Sequence, residues 1–94
     1  MNIMEEKDLA KLIEQYQHTG DQQILEAVRD ACRPVVEALI SELAEDSADL
    51  LRAKGRDRFP FIIGKYQTAA GLSLETFLRN TYRFYFQQVL KGEA

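Results

Sequence analysis

The chain has 94 residues and a mass of 10.8 kDa, room for one domain with one core and too little for separate binding and catalytic lobes. Hydrophobic residues make up 46% and charged residues 29%, a globular balance that excludes a disordered chain. A net charge of −3 and a pI near 5.1 exclude a protein whose affinity rests on broad contact with nucleic-acid phosphates.

Leu9, Leu12, Ile13 and Tyr16 recur at helical spacing and predict an amphipathic helix from about Glu5 to Gln17. Gly20 and Asp21 then close that helix and cap the next. The second segment, Gln22 to Ala44, holds Leu25, Val28, Cys32, Val35, Leu39 and Ile40 on one stripe and predicts the main core helix. Pro34 inside it predicts a kink near Asp30 to Arg33, or two abutting helices. After the polar turn Glu45 to Ser47, Ser47 is expected to cap a short helix over Ala48 to Lys54 that Gly55 ends. Residues 55 to 60 read as a loop, with Pro60 pushing Phe59 out of helical geometry. A short helix then opens at Pro60 and carries Phe61, Ile62 and Tyr66, although Phe61 to Ile63 also reads as a strand. Thr68 to Gly71 is a turn, and Ser73 caps a final helix over Leu74 to Leu90. Its rings, Phe77, Tyr82, Phe84, Tyr85 and Phe86, occupy nearly every angle around the axis, so some aromatic surface is expected to remain for a partner. The expectation is one all-α domain over residues 1–94, a small helical bundle of four to five helices.

Charge is uneven. Residues 1–50 carry the bases Lys7, Lys11, Arg29 and Arg33 among a large excess of Asp and Glu, whereas residues 51–94 carry Arg52, Lys54, Arg56, Arg58, Lys65, Arg79, Arg83 and Lys91 against Asp57, Glu75 and Glu93. His18 and Cys32 are the sole residues of their types, so neither a metal cluster nor a nucleophile and base pair can be assembled. Cys32 lies on an apolar stripe and reads as packing. No glycine spacing matches a phosphate-binding loop. The expectation is a non-enzymatic protein without metal or cofactor. Its apolar runs fall far short of the roughly 18 residues that span a bilayer. Met1 to Lys7 shows no secretory signal, so a cytoplasmic location is expected.

Several stretches, in order, resemble region 2 of the sigma-70 family of bacterial transcription initiation factors across nearly the whole chain. Leu12-Ile13-Glu14-Gln15-Tyr16 through Gly20-Asp21, then Arg33-Pro34-Val35-Val36, is similar to the family's opening helix, Gly-Asp turn and x-Pro-Leu-Val step. Asp49-Leu50-Leu51 resembles the start of its Asp-Leu-x-Gln-Glu-Gly motif. Lys65-Tyr66 with Gly71, and Leu74-Glu75-Thr76-Phe77 with Arg83, resemble the following junction and the Phe-Ser-Thr-Tyr to Trp-Ile-Arg segment. The resemblance implies a helical domain that docks on RNA polymerase core, or on another transcription protein such as a partner sigma fragment. The protein contacts it implies are Asp49, Leu50, Arg52, Lys54, Arg56 and Arg58. It also implies weak contact with −10 promoter DNA through Phe77, Arg79, Tyr82, Arg83 and Tyr85, with aromatic rings stacking on unpaired bases. Thr81 stands at the family's tryptophan position. A second expectation is therefore a sigma mimic that binds an anti-sigma factor without touching DNA, and a third is a module that self-associates as a homo-oligomer.

Overall fold

The computed structural model describes residues 6–94, with the side chain of Glu6 left out. The expected helix start at Glu5 and the reading of the first five residues as lacking a secretory signal lie outside the described residues. Four α-helices follow in order: α1 (Glu6–Thr19), α2 (Gln22–Leu43), α3 (Ala48–Gly64) and α4 (Leu74–Leu90). Short 3-10 turns at Glu45–Ser47 and Thr68–Ala70 join them. The described residues contain no strand, so the strand reading of Phe61 to Ile63 is corrected: all three lie in α3.

Local chemistry sets most boundaries. Gly20 at φ +70 takes the left-handed turn that a residue with a Cβ adopts only under strain. Asp21 accepts the Gln23 amide at 2.8 Å, and Ser73 accepts the Thr76 amide at 3.2 Å, each satisfying an N–H that the first turn of a helix leaves open. Ser47 makes no such side-chain bond, which corrects its expected capping role. Pro34 sits inside a single α2 rather than between two helices. Pro34 removes the N–H that would meet the Asp30 carbonyl, and both residues are exposed.

The larger correction concerns α3, which runs unbroken through Gly55 and Pro60 where a helix end, a loop and a new helix were expected. Tertiary contacts offset both breakers. Gly55 is a point of close approach: a Cβ there would lie 3.1 Å from Phe86 Cζ and 3.4 Å from Tyr82 Cε1. Pro60 has no N–H to give the Arg56 carbonyl, and Arg29 Nη2 on α2 reaches that oxygen at 3.5 Å.

α2 packs against each of the other three helices, and α3 against α1 and α4. The buried apolar side chains form one cluster, with Ile13, Val28, Leu39, Leu51, Ile63 and Phe86 fully enclosed. Burial of each contributes roughly 1.5–3 kcal/mol relative to exposure. The ends of α1 and α3 are tied by Gln17 Nε2, which donates to the carbonyls of Ile63 (3.0 Å) and Tyr66 (2.7 Å). One terminal carbonyl of α3, that of Ile63, and the Tyr66 carbonyl just beyond the helix are thereby satisfied without a glycine cap.

Candidate functional site

The aromatic residues of α4 separate into core and surface. Tyr82 is 1% exposed, and its hydroxyl donates to the Gly55 carbonyl at 2.9 Å; burial pushes the phenol's pKa upward. This corrects its place on the expected DNA face, because no ring surface is open to a base. Phe86 is likewise enclosed. Phe77 is half-buried, its ring centroid 5.0 Å from that of Tyr66. Tyr85 is half-buried and Phe84 is 65% exposed.

Arg79 and Arg83 turn toward α2 instead of toward those rings. Arg79 Nη2 grips both carboxylate oxygens of Glu42, at 3.1 and 2.6 Å, and Arg83 lies 4.0 Å from the same carboxylate. The hydrogen bond from Arg79, followed by the charges of Arg79 and Arg83, holds the Glu42 carboxyl below its ordinary pKa range. The five residues of the expected DNA face thus divide among the core, an ion-pair cluster and a groove.

The six residues of the expected protein face lie on one continuous helix, α3, and point in different directions. Asp49 and the 48% exposed Leu50 face solvent near its start. Arg52 Nε bridges both oxygens of Glu37, at 3.0 and 2.8 Å, and its Nη1 meets Asp49 at 3.0 Å. Lys54 is half-buried. Arg52 and Arg56 line a cavity of about 350 Å³ between α2 and α3, to which α2 contributes Arg29 and Arg33. Arg58 turns the other way, toward α4.

That second side holds a groove of about 250 Å³ between α3 and α4. Arg58 lies 4.1 Å over the Phe61 ring and 5.3 Å over the Tyr85 ring, and Lys65 lies 4.2 Å over Phe61. Phe77 and Phe84 complete the aromatic lining, and no carboxylate lines the groove. Cations seated on ring faces remain charged, because the ring quadrupole attracts them without neutralising them. The groove therefore offers aromatic surface, positive charge and room for a planar group.

Arg58, Phe77 and Tyr85 were expected site residues; Phe61, Lys65 and Phe84 were not. Their signal is present in the sequence, since Arg58, Phe61, Ile62 and Lys65 fall at i, i+3, i+4 and i+7, but only once the helix is read through Pro60.

Among the described residues no group of His, Cys, Asp and Glu could hold a metal ion. His18 is exposed, with Nδ1 2.9 Å from the Glu14 carbonyl. No helix among the described residues is long and apolar enough to cross a membrane. Comparison with protein-family models, with curated proteins and with solved structures gives no match. The described residues define an all-α chain with two concave, cation-lined surfaces on opposite sides of α3.

Proposed function

We propose that this chain is a sigma region 2-like transcription protein that acts by binding rather than by catalysis. The α3–α4 groove takes an unpaired base of a −10-like single strand, and the exposed start of α3, with Asp49 and Leu50, faces RNA polymerase core or a partner sigma fragment. The supporting observation is the groove itself: Arg58 and Lys65 seated on Phe61, with Tyr85 and the exposed Phe84 alongside. Aromatic platforms beside cations bind single strands because every base has a face to stack and every nucleotide a phosphate to neutralise. A net charge of −3 keeps such binding local.

A gel-shift titration with single-stranded −10-like DNA, run beside a pull-down with polymerase core, tests the reading. Binding should weaken linearly in log–log plots against salt, and Arg58→Ala and Lys65→Ala should each reduce the slope by about 0.7, the share of one neutralised phosphate on a single strand. Core capture without DNA binding removes the DNA half. Failure of both removes the sigma-like reading.

The second reading, a sigma mimic that engages an anti-sigma factor or another copy of itself, has its own support. Tyr82 is enclosed, and Arg79 is committed to Glu42, leaving fewer side chains free for DNA than the family resemblance implies.

A further inference from the structure

The cavity between α2 and α3 has a composition that neither proposed function uses. Four guanidinium groups line it, Arg29 and Arg33 from α2 and Arg52 and Arg56 from α3, with Glu37 as its one carboxylate. Behind them the wall is apolar, formed by Val36, Ala53 and the edges of residues on α3 and α4. Its volume, about 350 Å³, falls within the roughly 300–1,000 Å³ of small-ligand sites.

Two of the arginines, Arg29 and Arg52, are held in place rather than loosely solvated. Arg29 has a side chain only 13% exposed. Its guanidinium stacks 5.4 Å over the Phe59 ring, bonds Glu26 through Nη1 and reaches the Arg56 carbonyl through Nη2. Its Nε is buried and finds no hydrogen-bond partner among the described residues. Such an unanswered donor on a charged group is costly when enclosed. Arg52 is fixed by Glu37 and Asp49. The remaining two are freer: Arg33 meets only the exposed Asp30, at 2.5 Å, and the carboxylate nearest Arg56 is Glu26, 4.0 Å away.

The balance of charge decides what fits. Glu26, Asp30 and Asp49, the other carboxylates that meet these arginines, do not line the cavity, and their side chains are 51%, 63% and 102% exposed. Four arginines therefore line the cavity against one carboxylate, and the other three carboxylates that pair with them stand outside it. Each guanidinium carries five N–H groups in a planar fork that matches phosphate oxygens, and the ion pairs occupy only part of that set. A single carboxylate has too few acceptors for this array. A phosphate monoester, carrying close to two negative charges and three acceptor oxygens at neutral pH, matches it.

We propose that this cavity is a binding site for a small phosphomonoester with an apolar or aromatic body, the phosphate meeting Arg33 and Arg56 at the mouth and the body lying against Val36 and Ala53. The site is independent of the α3–α4 groove and survives if the single-strand reading fails.

Calorimetric titration of the full chain with phenyl phosphate, adenosine monophosphate, inorganic phosphate and benzoate, with amide chemical-shift mapping, tests it. The two organic phosphates should bind at least about tenfold more tightly than either inorganic phosphate or benzoate, since each of those supplies half of the recognition. Shifts should centre on residues 29–37 and 52–56. Arg33→Ala and Arg56→Ala, at exposed positions where folding is not at risk, should each weaken binding about tenfold or more. Ala53→Leu should remove the preference for the organic phosphates while retaining the weak response to inorganic phosphate. The proposal is overturned if neither organic phosphate binds below about 1 mM, if shifts map elsewhere, or if the arginine variants bind as the parent does. Equal affinity for phenyl phosphate and inorganic phosphate overturns the apolar half of the site.

Discussion

The Tyr82 hydroxyl donates to the Gly55 carbonyl at 2.9 Å across 27 residues of chain, joining the middle of α4 to the middle of α3 inside the core. Both partners are buried, so the bond cannot be exchanged for one to water. Tyr82→Phe keeps the ring and removes the donor. It is expected to lower stability by about 1 kcal/mol in urea denaturation, with an unchanged m-value. A variant as stable as the parent would show that the hydroxyl contributes nothing net at this contact.

The two glycines of α3 should respond in opposite directions to alanine. Gly64 has open space where a Cβ would go and no positive φ, so Gly64→Ala should stabilise by about 0.5 kcal/mol through the backbone freedom it removes from the unfolded chain. Gly55→Ala brings the same gain but places a Cβ 3.1 Å from Phe86 Cζ. Phe86 is fully enclosed, and its ring must shift against a packed core, at a cost of about 1–3 kcal/mol. Net destabilisation of about 1 kcal/mol is expected for Gly55→Ala, read from denaturation midpoints of the two variants side by side. Equal midpoints would mean that the ring moves aside freely.

That contact also explains what the sequence made legible. The starts of α2 and α4 are written in neighbouring residues, Asp21 to Gln23 and Ser73 to Thr76, and a reader of local chemistry finds them. The continuity of α3 is written elsewhere: the rings that fill the space over Gly55 stand on α4, and the guanidinium that answers the carbonyl orphaned by Pro60 stands on α2. Read locally, both residues break a helix. Breaking it there separated Arg58 from Phe61 and Lys65 and hid the face they share. Tyr82 was misplaced for a related reason, since helical periodicity gives the angle of a ring and not the depth of the neighbour it meets. The ion pairs that hold Arg79 and Arg52 depend on tertiary geometry in the same way.

Glu42 should titrate below the ordinary glutamate range in the folded chain, because the Arg79 hydrogen bond and then the charges of Arg79 and Arg83 favour its ionised form. A depressed folded pKa contributes stability that is present above the unfolded value of about 4.3 and is lost as pH falls through the folded value. Carboxyl carbon NMR titration should place its midpoint below the ordinary glutamate value, and Arg79→Ala should move it back toward that value. Single-stranded DNA that recruits Arg79 should raise the Glu42 midpoint in the parent protein. A midpoint unmoved by saturating DNA would leave Arg79 outside any nucleic-acid contact.

Cys32 is 2% exposed, and burial pushes its thiol pKa up to about 12. The thiolate is the reactive species, so labelling by a disulfide reagent at about pH 8 should proceed only through unfolding. Its rate should rise with denaturant along the slope of the global transition. The raised pKa also carries a pH signature. The unfolded thiol loses its proton near about pH 8.5 while the folded one keeps it, so the unfolded state binds fewer protons above that value and stability falls as pH rises toward the folded value of about 12. Cys32→Ala removes this contribution and should flatten the alkaline decline, leaving the part due to Tyr82, whose phenol pKa is raised in the same direction. Cys32→Ser buries a hydroxyl among Leu9, Val35, Leu74 and Leu78 and should be less stable than Cys32→Ala by about 1 kcal/mol. Rapid labelling in the absence of denaturant would mean that the small cavity of about 90 Å³ that Cys32 lines with Leu9, Val35, Leu74 and Leu78 admits the reagent without unfolding.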